Sequence, residues 1–185
     1  MAVYAALAAA LFEETGRLLA MKGLTKAVAG NGTPVAYGIG HAGAECVFIA
    51  VNIGIIAVIG YLIATGQAQS LNLSADTTKA ITDSLTGATL VTSLFGGLER
   101  VVAFVFQVAF SLLVWHAVSA RRIGFYWLAV AFHFLVDFPA GLAQQKLLPL
   151  TIAEIEAGYA LLAVIVLAGM WAFARPKAAA GEPAA

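Results

Sequence analysis

Two neighbouring carboxylates and a guanidinium interrupt an apolar segment close to the N-terminus. Glu13, Glu14 and Arg17 follow the apolar residues 2–12, and apolar residues resume at 18–21. An ionisable side chain within a membrane span is unfavourable by several kcal/mol unless it is paired or hydrated, and it therefore usually marks a functional site. If this segment spans a bilayer, the three charges predict such a site within it.

Two acid–histidine pairs recur later in the chain with helical spacing. His41 stands four residues before Glu45, and His133 stands four residues before Asp137, so each pair shares one face of a helix. The glycines on either side of His41 are expected to let another helix approach closely. Each pair can serve proton transfer, or the carboxylate can simply orient a buried histidine. All four residues therefore join the candidate site.

A third polar group lies within one long apolar segment. Glu99 and Arg100 stand near one end of this segment and His116 stands near the other. About 25 Å of straight helix separates Glu99 from His116, so the three residues are not expected to share one site. Glu99 and Arg100 form either a structural ion pair or a functional pair, and His116 is either interfacial or a site residue.

Composition places the chain in a lipid bilayer. The chain is 62% hydrophobic and only 11% charged, with a mean hydropathy of +0.92, whereas a soluble domain carries roughly one-quarter charged residues. Its formal net charge is zero, which gives no reason to expect a nucleic acid or an acidic partner. Cys46 is the single cysteine and is most simply a small buried thiol, so no internal disulfide is expected.

The hydrophobic segments predict an all-α, polytopic transmembrane helix bundle with about five spans. Roughly 20 apolar residues are needed for each span, and the segments that qualify are 2–21, 35–64, 89–120, 123–143 and 157–174. The start of the chain lacks the basic residues of a cleavable signal, so the first helix is expected to be retained. Residues 67–88 are polar and predict an exterior loop, with Ser74 as the N-cap of a short surface helix. We expect a single domain over residues 1–175 and a disordered cytoplasmic tail over 176–185.

Basic residues predict the orientation of the bundle. Lysines and arginines concentrate in alternate connections, which are expected to be cytoplasmic: Lys22, Lys26, Arg121, Arg122, Arg175 and Lys177. The N-terminus is therefore predicted outside and the C-terminus in the cytoplasm, in the cell membrane of a prokaryote. At about 1.5 Å per residue, Glu13, Glu14, His41, Glu45 and His133 then fall at similar depths in the cytoplasmic half of the membrane.

The order of these polar groups is more specific than any one of them, and it resembles the YhfC-type membrane peptidases. The pattern is Glu13-Glu14-x-x-Arg17, Gly38-x-Gly40-His41-x-Gly43-x-Glu45, Glu99-Arg100 with His116, and His133-x-x-x-Asp137. That family is related to the CAAX-protease and bacteriocin-processing (CPBP) intramembrane proteases. In family members further helices usually precede the double glutamate.

The resemblance implies roles for the site residues. Glu13 or Glu14 with His41 would activate water, and His133 with Asp137 would form the second pair. Asp137 stands where the related group has an asparagine that helps to stabilise an oxyanion. An ionised aspartate only accepts hydrogen bonds, so Asp137 is expected to be protonated, to orient His133 or to bind a metal.

The remaining polar residues, Arg17, Glu45, Glu99, Arg100 and His116, are expected to support the site or to contact the substrate. His41, His116 and His133 with a carboxylate could hold Zn²⁺, because three histidines and an open position make a hydrolytic metal centre. The chain lacks a His-Glu-x-x-His motif, so the sequence does not establish a metal and a metal-free site stays open.

The predicted activity is peptide hydrolysis within the membrane, on a membrane-embedded or membrane-proximal peptide. A transporter or proton-coupled channel could use the same acids and histidines as a relay. A relay spreads ionisable groups across the whole bilayer, whereas most of these groups cluster at one depth, which favours a site. A catalytically inactive binding or immunity protein is the third alternative.

Overall fold

The computed structural model describes residues 1–28, 30, 32–145 and 147–174, and within these ranges the chain forms α-helices, one short 3₁₀ turn and no strands. The helices are α1 (Ala2–Ala27), α2 (Gly32–Ala64), α3 (Ala75–Thr86), α4 (Leu90–Ser119), α5 (Gly124–Gln144) and α6 (Ile152–Ala174). The all-α prediction is confirmed. The predicted tail over 176–185 and the basic residues Lys146, Arg175 and Lys177 lie outside the described residues.

Four of the helices are long and apolar enough to cross a membrane. Those segments are Gly32–Ala64, Leu90–Ser119, Gly124–Ala143 and Ala153–Met170. The first helix, α1, has 26 residues, which is long enough for a fifth span, but it carries Glu13, Glu14 and Arg17 in its middle. Glu14 and Arg17 are buried against other helices instead of facing lipid. The chain is thus a polytopic helical membrane protein, as predicted.

The long helix α4 lies at the centre and packs against α1, α2, α5 and α6. Its apolar side chains recur every three or four residues, which places them on the faces that contact other helices. Phe106 and Phe110 pack with Ala163 of α6, while Val114 packs with Met21 of α1. Because four helices contact α4, its side chains are positioned to link all of them.

Close packing between α2 and α4 depends on one glycine. A Cβ atom at Gly38 would lie 2.6 Å from the Cα atom of Val108, far inside van der Waals contact. The predicted close approach near His41 is therefore confirmed at Gly38, whereas Gly40 and Gly43 have no such neighbour within 4 Å. This contact holds α2 close enough for its next two turns to reach polar groups on α4.

Side-chain hydrogen bonds cap the N-termini of α3 and α6. The Ser74 hydroxyl accepts a hydrogen bond from the backbone N–H of Thr77 at 3.1 Å, which confirms the predicted cap of α3. The last helix begins at Ile152, not at 157 as hydropathy predicted, so Glu154 and Glu156 lie on α6. Thr151 and Glu154 cap it reciprocally, because each side chain accepts a hydrogen bond from the other's backbone N–H.

Candidate active site

Glu13 of α1 is the point at which four helices meet. Its Oε2 atom lies 3.3 Å from Nε2 of His41 on α2 and 3.8 Å from Nε2 of His133 on α5. Gln107 of α4 donates a hydrogen bond to the same oxygen at 3.3 Å. The side chain of Glu13 is about one-third exposed, at 34%. It is thus both held by three neighbours and accessible from the cavity described below.

Glu45 of α2 provides a second carboxylate beside His41. Its Oε1 atom lies 3.0 Å from Nε2 of His41, one helical turn away. It also accepts a hydrogen bond from Nε2 of Gln107 at 2.6 Å. A single imidazole nitrogen therefore faces one carboxylate oxygen of Glu13 and one of Glu45, and the amide of Gln107 contacts both.

His133 of α5 is buried and is held by Glu14. Its Nδ1 atom lies 2.8 Å from Oε1 of Glu14, and its ring stacks on Phe110 with centroids 4.7 Å apart. These contacts direct the opposite nitrogen, Nε2, toward Glu13 and toward Oδ2 of Asp137, which lies 3.4 Å away. Glu14 is completely buried, so its carboxylate orients His133 and is closed to a substrate.

The buried side chain of Arg17 links α1 to α4 next to the site. Its guanidinium donates to the backbone oxygen of Gln107 at 2.9 Å, to the Ser111 hydroxyl at 3.2 Å and to Oε1 of Gln107. Its Nε atom lies 3.5 Å from Oε2 of Glu14. Because Oε1 of Gln107 accepts from Arg17, the NH₂ group of the same amide must point at Glu13 and Glu45. The guanidinium thereby determines which end of the amide faces the two carboxylates.

Sequence reasoning missed Gln107 and Ser111. Both are buried polar residues in the apolar part of α4, spaced one turn apart. A polar side chain at that depth commonly hydrogen-bonds to a neighbouring helix, so the spacing was the available signal.

A cavity of about 300 Å³ opens beside these residues. Its walls combine apolar side chains such as Phe48 and Val136 with acidic, basic and amide groups. The polar members are Glu13, Glu45, Glu99, Arg100, Gln107, His133, Asp137 and Tyr159. The cavity can therefore hold a ligand against Glu13 and extends to the Glu99–Arg100 ion pair.

His116 lies apart from this cluster. Its ring packs edge-on against Phe125 with centroids 4.5 Å apart. It stands about 13 Å further along α4 than Gln107, at 1.5 Å per residue. The structure thus brings His41 and His133 to Glu13 and places His116 elsewhere on α4.

Three carboxylates surround the two histidines and need positive charge between them. Glu14 is paired with Arg17, which leaves the carboxylates of Glu13, Glu45 and Asp137 around His41 and His133. Carboxylates this close repel one another unless a proton or a metal ion lies between them. The site is thus built to hold positive charge, either as protons on the imidazoles or as a metal ion.

The geometry of one subset suits a metal ion. Within the described residues, Glu13, His41 and Glu45 offer ligand atoms that all lie within 4.8 Å of one another. Ligands of a tetrahedral zinc ion, at about 2.0–2.1 Å from the metal, lie roughly 3.4 Å apart. The distances of 3.3 Å and 3.0 Å from His41 Nε2 to the two carboxylates agree with that separation.

The fold and the site define a helical membrane protein with a histidine–carboxylate centre inside its helix bundle. The chain belongs to the YhfC intramembrane metalloprotease family, whose model matches residues 1–159. It is 32% identical over 168 residues to the uncharacterized membrane protein YhfC of Bacillus subtilis (strain 168). The alignment covers 88% of this chain and 64% of that relative. No solved structure shows significant similarity.

The family membership confirms the resemblance that the sequence carried. The relation to the CPBP group stays a prediction, as do the individual roles of the site residues. The chain spans less than two thirds of the length of this relative.

Proposed function

We propose that the protein is an intramembrane endopeptidase that hydrolyses a membrane-embedded or membrane-proximal peptide. The observation that carries this proposal is the position of Glu13, which faces a cavity and touches His41, Gln107 and His133 at once. Peptide hydrolysis requires a base for water and a proton donor for the leaving amine, within reach of one point. Glu13 and His133 supply these two groups.

Glu13 is the residue assigned to take the proton from water. It is the partly exposed member of the glutamate pair, while Glu14 is closed off and bound to Arg17. Gln107 and His41 hold its carboxylate in place, and His133 presents Nε2 on the other side. Because Glu14 binds Nδ1 of His133, Nε2 remains available to deliver a proton to the leaving nitrogen.

A divalent metal ion fits the residues present. His41, Glu45 and one oxygen of Glu13 would hold it, which would leave the other oxygen of Glu13 to take the proton from water, and Gln107 would orient both carboxylates. When bound, such an ion would supply Lewis-acid activation of the reacting groups. Asp137 and His133 would remain free of the ion to exchange protons.

We also propose an orientation of the helix bundle in the membrane. The basic residues Lys22 and Lys26 in the last turns of α1, with Arg121 and Arg122 between α4 and α5, support a cytoplasmic location of these ends of the helices. The cluster around His41 and His133 would then lie toward the cytoplasmic half of the membrane, with the N-terminus outside, and the cavity would extend from this cluster toward Glu99 and Arg100 on the outer side. The apolar walls beside the charged groups suit a peptide segment that arrives from the bilayer or its surface.

The transporter alternative receives less support. A relay needs polar groups that continue through the bundle. Below Ser111, the described part of α4 turns the fully buried Val114 toward Met21 and Ala129, which form an apolar layer between the site and His116. Among the described residues, this apolar layer favours a site over a path of ionisable groups that crosses the membrane.

The direct test is cleavage by the purified protein in lipid. We expect the parent chain in proteoliposomes to cleave members of a panel of fluorogenic membrane peptides, and Glu13→Gln to lower turnover by about 10²-fold or more. A matched control is Asp83→Asn, which removes an exposed charge from the surface helix α3. Full cleavage by Glu13→Gln contradicts the proposal. Solute flux that is lost in Glu13→Gln, without cleavage in the parent, favours the transporter.

A further inference from the structure

Tyr159 of α6 binds the backbone of the neighbouring helix α5 beside the cavity. Its hydroxyl donates a hydrogen bond to the backbone oxygen of Val136 at 2.6 Å. A second hydrogen bond joins the same hydroxyl to the backbone of Ala140. Val136 and Ala140 are four residues apart, so the hydroxyl lies between two backbone groups that normally pair with each other in an α-helix.

The turn of α5 that Tyr159 contacts contains Pro139. Proline has no N–H group and its ring crowds the carbonyl four residues earlier, so the backbone oxygen of Leu135 lacks its usual donor. We refer to residues 135–140 as the proline turn. Within a membrane, the backbone groups of such a turn need partners from the protein itself. The hydroxyl of Tyr159 supplies hydrogen bonds where those of the helix are weakened.

The proline turn carries Asp137, one of the site residues. Oδ2 of Asp137 lies 3.4 Å from Nε2 of His133, and Val136, Asp137, Ala140 and Tyr159 all line the cavity. The hydrogen bond from Tyr159 ends on Val136, one peptide unit before Asp137. Because 3.4 Å is near the upper limit of a hydrogen bond, a displacement of the turn by about 1 Å would separate Asp137 from His133.

The packing of Tyr159 gives its hydroxyl a fixed direction. The ring packs with Phe132 and Val136 against the apolar cluster that contains Phe110, and Phe110 in turn stacks on His133. The one proton of the hydroxyl is already donated to the backbone of α5. Tyr159 is therefore placed to hold the backbone and has no proton left to donate to a substrate.

We propose that Tyr159 is a positioning residue that holds the proline turn of α5 and thereby keeps Asp137 beside His133. This inference rests on the proposed peptidase function, because His133 is the group assigned to protonate the leaving nitrogen. The last helix thus contributes to the site through the backbone of α5 and not through a reacting group.

The first test compares stability with and without the proline. The full chain in lipid nanodiscs would be unfolded thermally as the parent, Tyr159→Phe, Pro139→Ala and the double variant. We expect Tyr159→Phe to lower Tm by about 2–4 °C in the parent, which corresponds to one hydrogen bond, and by less than about 1 °C in Pro139→Ala, where the turn regains its own N–H. Tyr61→Phe, at an exposed position of α2, is the matched control and should leave Tm unchanged. Equal losses in the two backgrounds overturn the inference.

The second test asks whether the hydroxyl acts through Asp137. In the cleavage assay, Tyr159→Phe should lower kcat about tenfold and leave KM within about twofold, because phenylalanine preserves the cavity wall. In Asp137→Ala, the same substitution should lower kcat by less than about twofold, since no carboxylate remains to be positioned. A tenfold loss in both backgrounds, or a change in KM alone, overturns the inference. Absence of cleavage by the parent overturns the proposed function, and the unfolding comparison then decides the inference on its own.

Discussion

Glu13 and Glu14 are adjacent in sequence, yet the histidine nearest to each carboxylate lies on a different helix. Glu13 lies 3.3 Å from His41 of α2, and Glu14 lies 2.8 Å from His133 of α5. Consecutive residues on a helix point about 100° apart, so the pair reaches in two directions from one turn of α1. The partly exposed carboxylate faces the cavity, and the buried one is tied to Arg17.

The different surroundings of the two glutamates predict that the same substitution will destabilise the protein at one position much more than at the other. Glu14→Gln leaves the buried guanidinium of Arg17 without its countercharge, and loss of one partner of a buried ion pair costs about 3–5 kcal/mol. We expect this variant to lose that much free energy of unfolding, and Glu13→Gln to lose less than about 1 kcal/mol. Thermal or denaturant unfolding in detergent measures both. Equal stabilities for the two variants would contradict the division of roles.

Gln107 is predicted to control the two cavity carboxylates. Gln107→Leu removes the amide that donates to Glu13 and Glu45 and also an acceptor for Arg17. Because groups that orient metal ligands commonly contribute 10–100-fold to affinity, we expect metal affinity to fall by about that factor. Ser111→Ala, which removes a weaker contact of Arg17 at 3.2 Å, is the comparison and should lose less. Unchanged metal affinity in Gln107→Leu would separate the amide from the site.

The substitution Asp137→Asn tests the role of Asp137 beside His133. With Nδ1 of His133 facing Glu14, the asparagine side chain can pair with Nε2 of His133 in both protonation states, because its carbonyl oxygen accepts from Nε2–H and its NH₂ group donates to unprotonated Nε2. We therefore expect turnover within about tenfold of the parent and an unchanged metal content. A loss of turnover of 100-fold, accompanied by loss of metal, would instead identify Asp137 as a ligand.

Gly38 is predicted to set the distance between α2 and α4. Gly38→Ala places a methyl group 2.6 Å from Val108 Cα, so the helices must separate, at a cost of about 1–3 kcal/mol. Gly40→Ala is the matched control, since no neighbouring atom lies within 4 Å of its Cβ position. Unfolding measurements should show the loss only in Gly38→Ala. A larger loss in Gly40→Ala would show that the contact is placed wrongly.

The sequence predicted which segments form helices better than it predicted where each helix begins. Hydropathy and length indicate which segments are membrane helices, and the Ser74 cap follows from local chemistry. Hydropathy alone placed the start of α6 too late, because Glu154 and Glu156 lowered the apolar score there, although Thr151-x-x-Glu154 is a capping box. A capping motif was thus a better guide to that boundary than composition.

The sequence predicted that the site residues lie at a similar depth in the membrane, but not which side chains face one another. Counting residues along the helices put Glu13, His41 and His133 at one level, and the structure places His41 and His133 within 3.8 Å of Glu13. Which glutamate met which histidine depended on how α1 is rotated against α2 and α5, and that rotation is set by tertiary packing. Gln107 was missed for the same reason, because its importance comes from its contacts with two other helices, α1 and α2.

Metal content together with cleavage tests the central claim most directly. The protein would be purified without added metal, analysed by elemental mass spectrometry and assayed on membrane peptides before and after chelation. We expect about one zinc ion per chain, loss of the ion in His41→Ala but not in His116→Ala, and cleavage that a chelator abolishes and zinc restores. Undiminished cleavage by metal-free protein, or equal zinc content in the parent and His41→Ala, would contradict a metal centre at Glu13, His41 and Glu45.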